Sequence, residues 1–238
     1  MKVETAMVMA AGLGTRMRPL TDHKPKPLVK VAGKPLIEYA FDKLRLAGVN
    51  KAVVNVHYLP EQVEVYVADC VNDLDITFSD ERAQLLETGG GLVQALPLIG
   101  GDPFFCINSD AIWTDGDVDG LTRLAQAWDG ETMDGLLLLV PRERAFSHRG
   151  NGDFSIDDEG HPVRRGTAVH APFVYTGIQL LSRAFLKDAP TGPFSTNILW
   201  DRAIDKGRLF ALEHQGDWFD IGSPAAIAPT EEALRQHG

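Results

Sequence analysis

A glycine-rich turn followed by a run of cations is the part of the chain with the clearest chemistry. The apolar run Ala6–Ala11 breaks into Gly12-Leu13-Gly14-Thr15-Arg16. Residues 16–34 then carry a net charge of +5, although the rest of the chain carries −15. A glycine turn brings backbone N–H groups toward an anion. The segment therefore predicts a polyphosphate site, and the alternative is that its cations only form a solvated surface: Arg16, Arg18, Lys24, Lys26, Lys30 and Lys34.

The overall composition excludes several classes of function. A net charge of −10 argues against general affinity for nucleic acid or anionic membranes. The sequence contains no run of 18 or more apolar residues, so it predicts no membrane span. The apolar run from Ala6 is too short for a signal peptide, and the widely spaced Cys70 and Cys106 suit a reducing compartment. We therefore expect a cytoplasmic protein.

The glycine turn lacks the rest of the common nucleotide-binding fingerprints. The third glycine of a dinucleotide motif is replaced by Met17, and no P-loop sequence is present. The longer string from Ala10 to Leu28 instead resembles the signature of the sugar-1-phosphate nucleotidyltransferases. That resemblance implies a Rossmann-like α/β fold and transfer of a nucleotidyl group from a nucleoside triphosphate to a sugar 1-phosphate, with release of pyrophosphate. It extends to four further segments: Leu86–Gly91, Asn108–Asp110, Tyr175–Gly177 and Trp218–Ser223.

The resemblance also implies roles for individual residues. Arg16 would hold the β- and γ-phosphates, and Lys26 would contact the phosphates near the reacting centre; the alternative is that both are surface cations. No general base is needed, because the second pKa of a phosphate monoester is near about 6. The nucleotide-binding residues would be Ala11, Gly12, Gly14, Thr15, Arg16, Lys26, Glu81, Thr88, Gly89 and Gly90. The sugar-phosphate-binding residues would be Asn108, Arg149, Gly152, Thr176 and Gly177.

Two aspartates are the expected metal ligands. Asp110 follows the strand-like run Phe104–Ile107, and Asp220 lies among apolar residues, where an acid needs a partner. Two carboxylates suffice for Mg²⁺, which takes its other ligands from phosphates and water. The alternatives are a helix cap at Asp110 and a salt-bridged Asp220.

The substrates are less sharply indicated than the reaction. The short chain and Leu86–Gly91 are most similar to the N-acetylmuramate 1-phosphate uridylyltransferases of peptidoglycan recycling, which implies UTP as the nucleotide. Mannose- and heptose-1-phosphate guanylyltransferases share much of the pattern and remain an alternative. Because muramate carries a lactyl carboxylate, Arg149 is a candidate to bind it. A nucleotide-sugar sensor without turnover is a further alternative, and we expect a monomer or homodimer.

Alternating strands and helices must position these residues. Apolar runs predict strands at 6–11, 52–56, 76–78, 104–107, 136–140, 173–181, 209–213 and 218–221. Helical spacing predicts helices at 35–47, 61–71, 90–96, 118–128, 197–206 and 224–236. Residues 146–171 predict a hairpin or a mobile loop. This alternation favours a three-layer α/β fold with a mostly parallel central sheet, and ligands bind at the carboxyl ends of such strands.

We expect one nucleotidyltransferase domain over residues 1–238. No linker or low-complexity tract divides the chain. The sequence also contains no hexapeptide repeat, so we expect no C-terminal β-helix.

Overall fold

Strands and helices alternate along most of the chain, as its apolar runs predict. The computed structural model describes residues 1–237. Its strands are β1 Thr5–Met9, β2 Lys30–Val31, β3 Lys34–Pro35, β4 Lys51–Val56, β5 Asp75–Asp80, β6 Phe104–Asn108, β7 Ala111–Trp113, β8 Gly135–Pro141, β9 Ala145–Phe146, β10 Phe154–Ile156, β11 Pro162–Arg164, β12 Phe173–Leu181, β13 Leu209–Glu213 and β14 Trp218–Asp220. Its α-helices are α1 Leu36–Leu46, α2 Pro60–Cys70, α3 Glu87–Ala95, α4 Gly120–Ala127, α5 Asn197–Asp205 and α6 Ile227–His237.

The central sheet is mostly parallel, with one reversed strand inside it. β5, β4, β1 and β6 run parallel, so that Met7 lies between Val53 and Cys106. β12 then pairs antiparallel with both β6 and β8, and β13 pairs parallel with β8. The expected mostly parallel sheet is confirmed, and the reversal at β12 is an addition that the apolar runs did not indicate.

Side chains that alternate along the strands build a separate core on each face of this sheet. One core packs alternate residues of β1, β4, β6 and β8 against α1, α2 and α4. The other packs the intervening residues against α3 and α5. Because successive strand residues point to opposite faces, a strand buried on both sides reads as a continuous apolar run. This arrangement confirms the three-layer Rossmann-like fold.

The polar segment between β8 and β12 contains a hairpin. β10 and β11 pair antiparallel, and Phe154 joins this hairpin to Phe173 at the start of β12. A small second sheet has the order β7-β14-β9. Phe219 and Ile221 pack there with Met17 and Ile112. No helix in residues 1–237 is long and apolar enough to cross a membrane.

Candidate active site

The glycine-rich turn lies at the carboxyl ends of the parallel strands, next to a cavity of about 230 Å³. The loop after β1 contributes Ala10, Ala11 and Gly12 to its lining. Loops after the neighbouring strands, together with the start of α3, supply the other walls. Their lining residues include Lys26, Pro27, Asn55, Leu85, Glu87, Thr88, Asn108, Ser109 and Asp110. The structure therefore gathers several predicted nucleotide- and metal-binding residues around one space.

Gly14 allows the turn to approach Lys26. Its φ of 62° lies in the left-handed region, and a Cβ atom there would lie 2.9 Å from the Cβ of Lys26. The Thr21 hydroxyl donates a hydrogen bond of 2.8 Å to the Gly14 carbonyl. The turn is thereby fixed against the segment that carries Lys26, whereas Thr15 and Arg16 remain exposed.

Lys26 and Asp110 form an ion pair at the edge of the cavity. The Lys26 side chain is only 12% exposed, and its Nζ atom bonds to Oδ2 of Asp110. Asp110 lies in the short turn between β6 and β7. The predicted phosphate-binding cation and the predicted metal ligand are therefore direct neighbours.

Asp220 approaches the same region from the second sheet. It pairs with Ala111, the residue after Asp110, across β14 and β7. Nδ1 of His148 lies 3.4 Å from its Oδ2. The close approach of His148 lowers the pKa of Asp220, and the charges of Lys26 and Arg16 lower it further.

A second space of about 280 Å³ is lined in part by Asp220. Its lining includes Arg16, His148, Arg149, Gly222 and Ser223. A Cβ atom at Gly222 would lie 3.1 Å from Nη1 of Arg16, so the absence of a side chain there leaves room for the guanidinium. Arg149 is exposed in this space. The arrangement concentrates positive charge beside one carboxylate.

The two aspartates suit a hard cation that is shared with a bound nucleotide. Residues 1–237 contain no group of three or more His, Cys, Asp or Glu side chains that could hold a metal ion. Two adjacent carboxylates are nevertheless the oxygen donors that Mg²⁺ prefers, with phosphates and water completing its shell. The donor set therefore fits the predicted ion.

Glu81 is buried behind the cavity wall instead of lining it. Its Oε1 accepts a hydrogen bond of 2.7 Å from Nδ2 of Asn55, and its Oε2 accepts one of 3.1 Å from the backbone N–H of Leu86. Oδ1 of Asn55 accepts a bond of 2.6 Å from the backbone N–H of Ala10. These bonds join the glycine turn to the loop before α3. Glu81 is thus placed to orient the glycine turn and the loop before α3.

The predicted base-recognition glycines lie inside α3 and pack closely against the segment before α5. The backbone N–H groups of Gly89 and Gly90 both donate to the carbonyl of Phe194, at 2.8 and 3.2 Å. A Cβ atom at Gly89 would overlap the Phe194 ring. Thr88 lies at the cavity, where its Oγ1 accepts a bond of 2.9 Å from the backbone N–H of Thr196.

Of the predicted sugar-phosphate-binding residues, some line the cavity and others lie outside its lining. Asn108 lines the cavity and packs against Gly177, whose φ of 81° accompanies a register shift in β12. Thr176 is buried and donates a bond of 2.7 Å to the carbonyl of Leu138. Gly152 forms a turn in which a side chain would overlap the carbonyl of Ala171.

Sequence reasoning missed three residues that shape the site. Asn55 is a polar residue within an otherwise apolar strand, which is a signal of a buried hydrogen bond. His148 lies next to Arg149 but is far from Asp220 in the chain. Phe194 has no signal of its own, because its role depends on the distant Gly89.

Comparisons with known proteins identify the family to which the chain is similar. The model of the nucleotidyl transferase family matches residues 5–237. An N-acetylmuramate alpha-1-phosphate uridylyltransferase of Caulobacter vibrioides is 42% identical over 234 residues, which is 97% of either chain. Another of that name, from Neisseria meningitidis, is 36% identical over 92% of this chain and 93% of its own.

More distant relatives have other substrates in their names. A mannose-1-phosphate guanylyltransferase catalytic subunit beta of Xenopus tropicalis is 30% identical over 92% of this chain, but over only 61% of its own. Among solved structures, a UDP-glucose pyrophosphorylase complexed with UDP-glucose matches with a TM-score of 0.80 at 18% identity, over 99% of this chain and 100% of that one. This likeness confirms the fold.

Proposed function

The chain belongs to the nucleotidyl transferase family, and from this premise we propose that it transfers the uridylyl group of UTP to N-acetylmuramate 1-phosphate. The products are UDP-N-acetylmuramate and pyrophosphate. The observation that carries the proposal is the 42% identity to a uridylyltransferase of that name over 97% of both chains. We also propose that the enzyme acts in the cytoplasm, in peptidoglycan recycling.

In this reaction an oxygen of the sugar phosphate attacks the α-phosphorus of UTP, and pyrophosphate leaves. The attacking phosphate is already ionised, so the protein has to position two polyanions and stabilise the charge on the leaving group. Lys26 neutralises phosphate charge at the cavity edge, where it now pairs with Asp110. Arg16, which is exposed beside Asp220, holds the β- and γ-phosphates.

Backbone groups and buried polar residues support these two cations. Ala11, Gly12, Gly14 and Thr15 form the turn around the triphosphate. Thr88 contacts the nucleotide directly, whereas Gly89 and Gly90 hold its wall in place through Phe194. Glu81 orients both loops from behind.

Asp110 and Asp220 would hold a Mg²⁺ ion shared with the triphosphate. When bound, the ion neutralises phosphate charge and supports departure of pyrophosphate. Asp220 is held in its ionised form by His148 and the nearby cations, so it is ready to serve as an oxygen ligand.

The sugar binds between the cavity and the exposed space at Arg149. Asn108 contacts the sugar phosphate, while Thr176, Gly177 and Gly152 shape the wall that holds it. The lactyl carboxylate of muramate then lies toward Arg149. The exposed guanidinium of Arg149 in this space supports that orientation, because it can pair with the carboxylate.

A matrix of substrates tests the proposal. Pyrophosphate release is measured with UTP, GTP, dTTP and CTP, each combined with the 1-phosphates of N-acetylmuramate, N-acetylglucosamine, glucose and mannose. UTP with N-acetylmuramate 1-phosphate should give the highest kcat/KM. A higher value for GTP with mannose 1-phosphate would instead support a guanylyltransferase.

The same assay on Lys26→Ala separates catalysis from simple nucleotide binding. Loss of one preorganised cation should lower kcat by about 10²–10³-fold without unfolding the protein. Lys24→Ala is the matched control, because Lys24 is exposed and close in sequence. Binding without turnover by the wild-type chain, across the whole matrix, would instead indicate a sensor.

A further inference from the structure

We propose that a small recess behind the active-site cavity binds the acetamido group of an N-acetylated sugar 1-phosphate. The recess has a volume of about 60 Å³. This inference rests on the proposed function, since it concerns the sugar acceptor of the same site. The recess is lined by Met9, Thr88, Leu92, Cys106, Asn108, Tyr175, Gln179, Thr196 and Trp200.

The recess adjoins the cavity on its sugar side. Met9, Thr88 and Asn108 line both spaces, so they form the boundary between them. The far wall comes from Tyr175 on β12 and from Trp200 on α5. A substituent of a sugar that lies against Asn108 therefore has a direct route into the recess.

The lining selects a neutral group. None of its residues is Lys, Arg, His, Asp or Glu, so a carboxylate would be buried there without a cation. Burial raises the pKa of the Cys106 thiol to about 12, which keeps that residue neutral too. Of the two substituents that distinguish N-acetylmuramate from glucose, the acetamido group is neutral and the lactyl group is charged. The recess therefore suits the acetamido group.

Aromatic residues provide a rigid apolar surface for its methyl group. The rings of Tyr175 and Trp200 pack edge to face, with centroids 4.6 Å apart. Trp200 is fixed by a hydrogen bond of 2.9 Å from its Nε1 to Oε1 of Gln179. The indole therefore keeps its orientation without a ligand.

Thr196 provides an unpaired polar atom for the amide. The residue is 4% exposed, and its Oγ1 is buried without a hydrogen-bond partner among residues 1–237. A buried hydroxyl left unpaired costs free energy, so such groups usually have a partner. The amide carbonyl of an acetamido group would accept the hydrogen bond that this hydroxyl can donate.

The volume matches this ligand. A space of about 60 Å³ is several times the roughly 10–15 Å³ that one water molecule needs in a cavity. The recess therefore has room for a small group such as acetamido. Ordered water is the competing occupant that an experiment must distinguish.

Thr196→Val is the most direct test, because it removes the hydroxyl and keeps the shape. It should lower kcat/KM for N-acetylated sugar 1-phosphates by roughly 5- to 10-fold, as expected for one lost hydrogen bond. The KM for UTP should not change. Sugar 1-phosphates with a hydroxyl at carbon 2 should behave as with the wild type, whether measured as substrates or as inhibitors.

Thr5→Val is the matched control. Thr5 is also buried with an unpaired Oγ1, but it lies at the opposite end of β1 from the cavity. The chemical change is the same, and we expect no effect on any substrate. Equal results for the two variants would overturn the proposal.

Filling the recess gives a second, independent test. Cys106→Met adds volume inside it, whereas Cys70→Met makes the same change at an exposed site. Only the first should reduce the preference for N-acetylated sugars. Thermal unfolding of both variants shows whether the larger side chain also strains the core.

The outcomes separate this inference from the proposed function. If muramate is the substrate but Thr196→Val and Cys106→Met leave the preference unchanged, the recess assignment fails and the function stands. If the enzyme prefers another N-acetylated sugar and both variants reduce that preference, the function fails and the recess assignment stands. If only sugars with a hydroxyl at carbon 2 react, both are wrong.

Discussion

Among single residues, Asn55 and Glu81 show how a buried polar pair can determine the shape of a surface site. Their exposed fractions are only 1% and 2%, yet their hydrogen bonds end on Ala10 and Leu86, which belong to two different loops. Since the carboxylate accepts from Asn55 and from the Leu86 N–H, we assign it a positioning role.

Exchanging the amide and the carboxylate tests this role. Asn55→Asp alone places two carboxylates in contact. Glu81→Gln alone places its amide N–H against another donor, either the Asn55 amide or the Leu86 N–H. Each should cost about 1–3 kcal/mol in the free energy of unfolding and should raise the KM for UTP. The double variant N55D/E81Q can form all three hydrogen bonds again. It should therefore recover most of both losses, measured by urea unfolding and initial rates.

The positioning role of Glu81 has a matched control and a result that would contradict it. Asn50→Asp makes the same chemical change at an exposed position and should have little effect. A double variant that regains stability but discriminates poorly between UTP and CTP would show that Glu81 contacts the base directly.

At this scale, the sequence was sufficient where chemistry was concentrated in a short string. Gly12 and Lys26 stand out by type and spacing, whereas Asp110 is indicated by the family resemblance and by its place after a strand-like run. The structure brings all three to one cavity. The link between Asn55 and Glu81 could not be predicted. It depends on neighbouring strands ending side by side, which neither residue reveals alone.

At the level of elements, the glycines of α3 show how packing can override local preference. A glycine triplet favours a turn, and the predicted helix began at residue 90, whereas α3 begins at Glu87. The close approach of Phe194 explains the glycines, because a side chain at Gly89 would occupy the space of its ring. A tertiary contact therefore holds this end of α3, since the N–H groups of Gly89 and Gly90 both donate to the Phe194 carbonyl.

Gly89→Ala should disturb this contact. Moving the Phe194 ring should cost about 1–3 kcal/mol, although alanine favours a helix more than glycine does. Because Phe194 also accepts the Gly89 N–H, we expect a raised KM for UTP as well as a lower midpoint of unfolding. Gly100→Ala is the control, since nothing lies within 4 Å of its added Cβ atom. An unchanged midpoint in Gly89→Ala would contradict this account.

Over the whole molecule, the layer architecture was predictable and one strand direction was not. Continuous apolar runs such as residues 136–140 indicated strands buried on both faces, and the two cores confirm this. The reversal of β12 follows from the path of the polar segment before it. The composition of such a segment indicates that it is irregular. It does not indicate at which end of the sheet the next strand begins.

Global stability should depend on His214, which is buried. It is 1% exposed, and its Nε2 lies 2.9 Å from the carbonyl of Thr114. Burial lowers its pKa, and this effect outweighs the hydrogen bond to Thr114 and the charge of Asp115, which raise it; Arg123 and Lys43 lower it further. The unfolded chain therefore binds a proton more readily than the folded one, so stability should fall as the pH drops below about 6.5.

Urea unfolding between pH 7.5 and pH 5 checks this expectation. His214→Gln keeps an N–H donor but cannot titrate, so its stability should fall less steeply over that range than the wild type. His23→Gln, at an exposed position, should follow the wild-type curve. Parallel curves for all three proteins would contradict the assignment.

The position of β8 also has a consequence for the growing polypeptide. Its neighbours in the sheet are β12 and β13, both of which follow it in the chain. The ribosome therefore releases the run Leu136–Leu139 with both strand edges open, and at about 5–20 residues per second the first partner arrives seconds later. During that interval this segment is the natural target for a chaperone, and slow translation of residues 142–181 would favour aggregation.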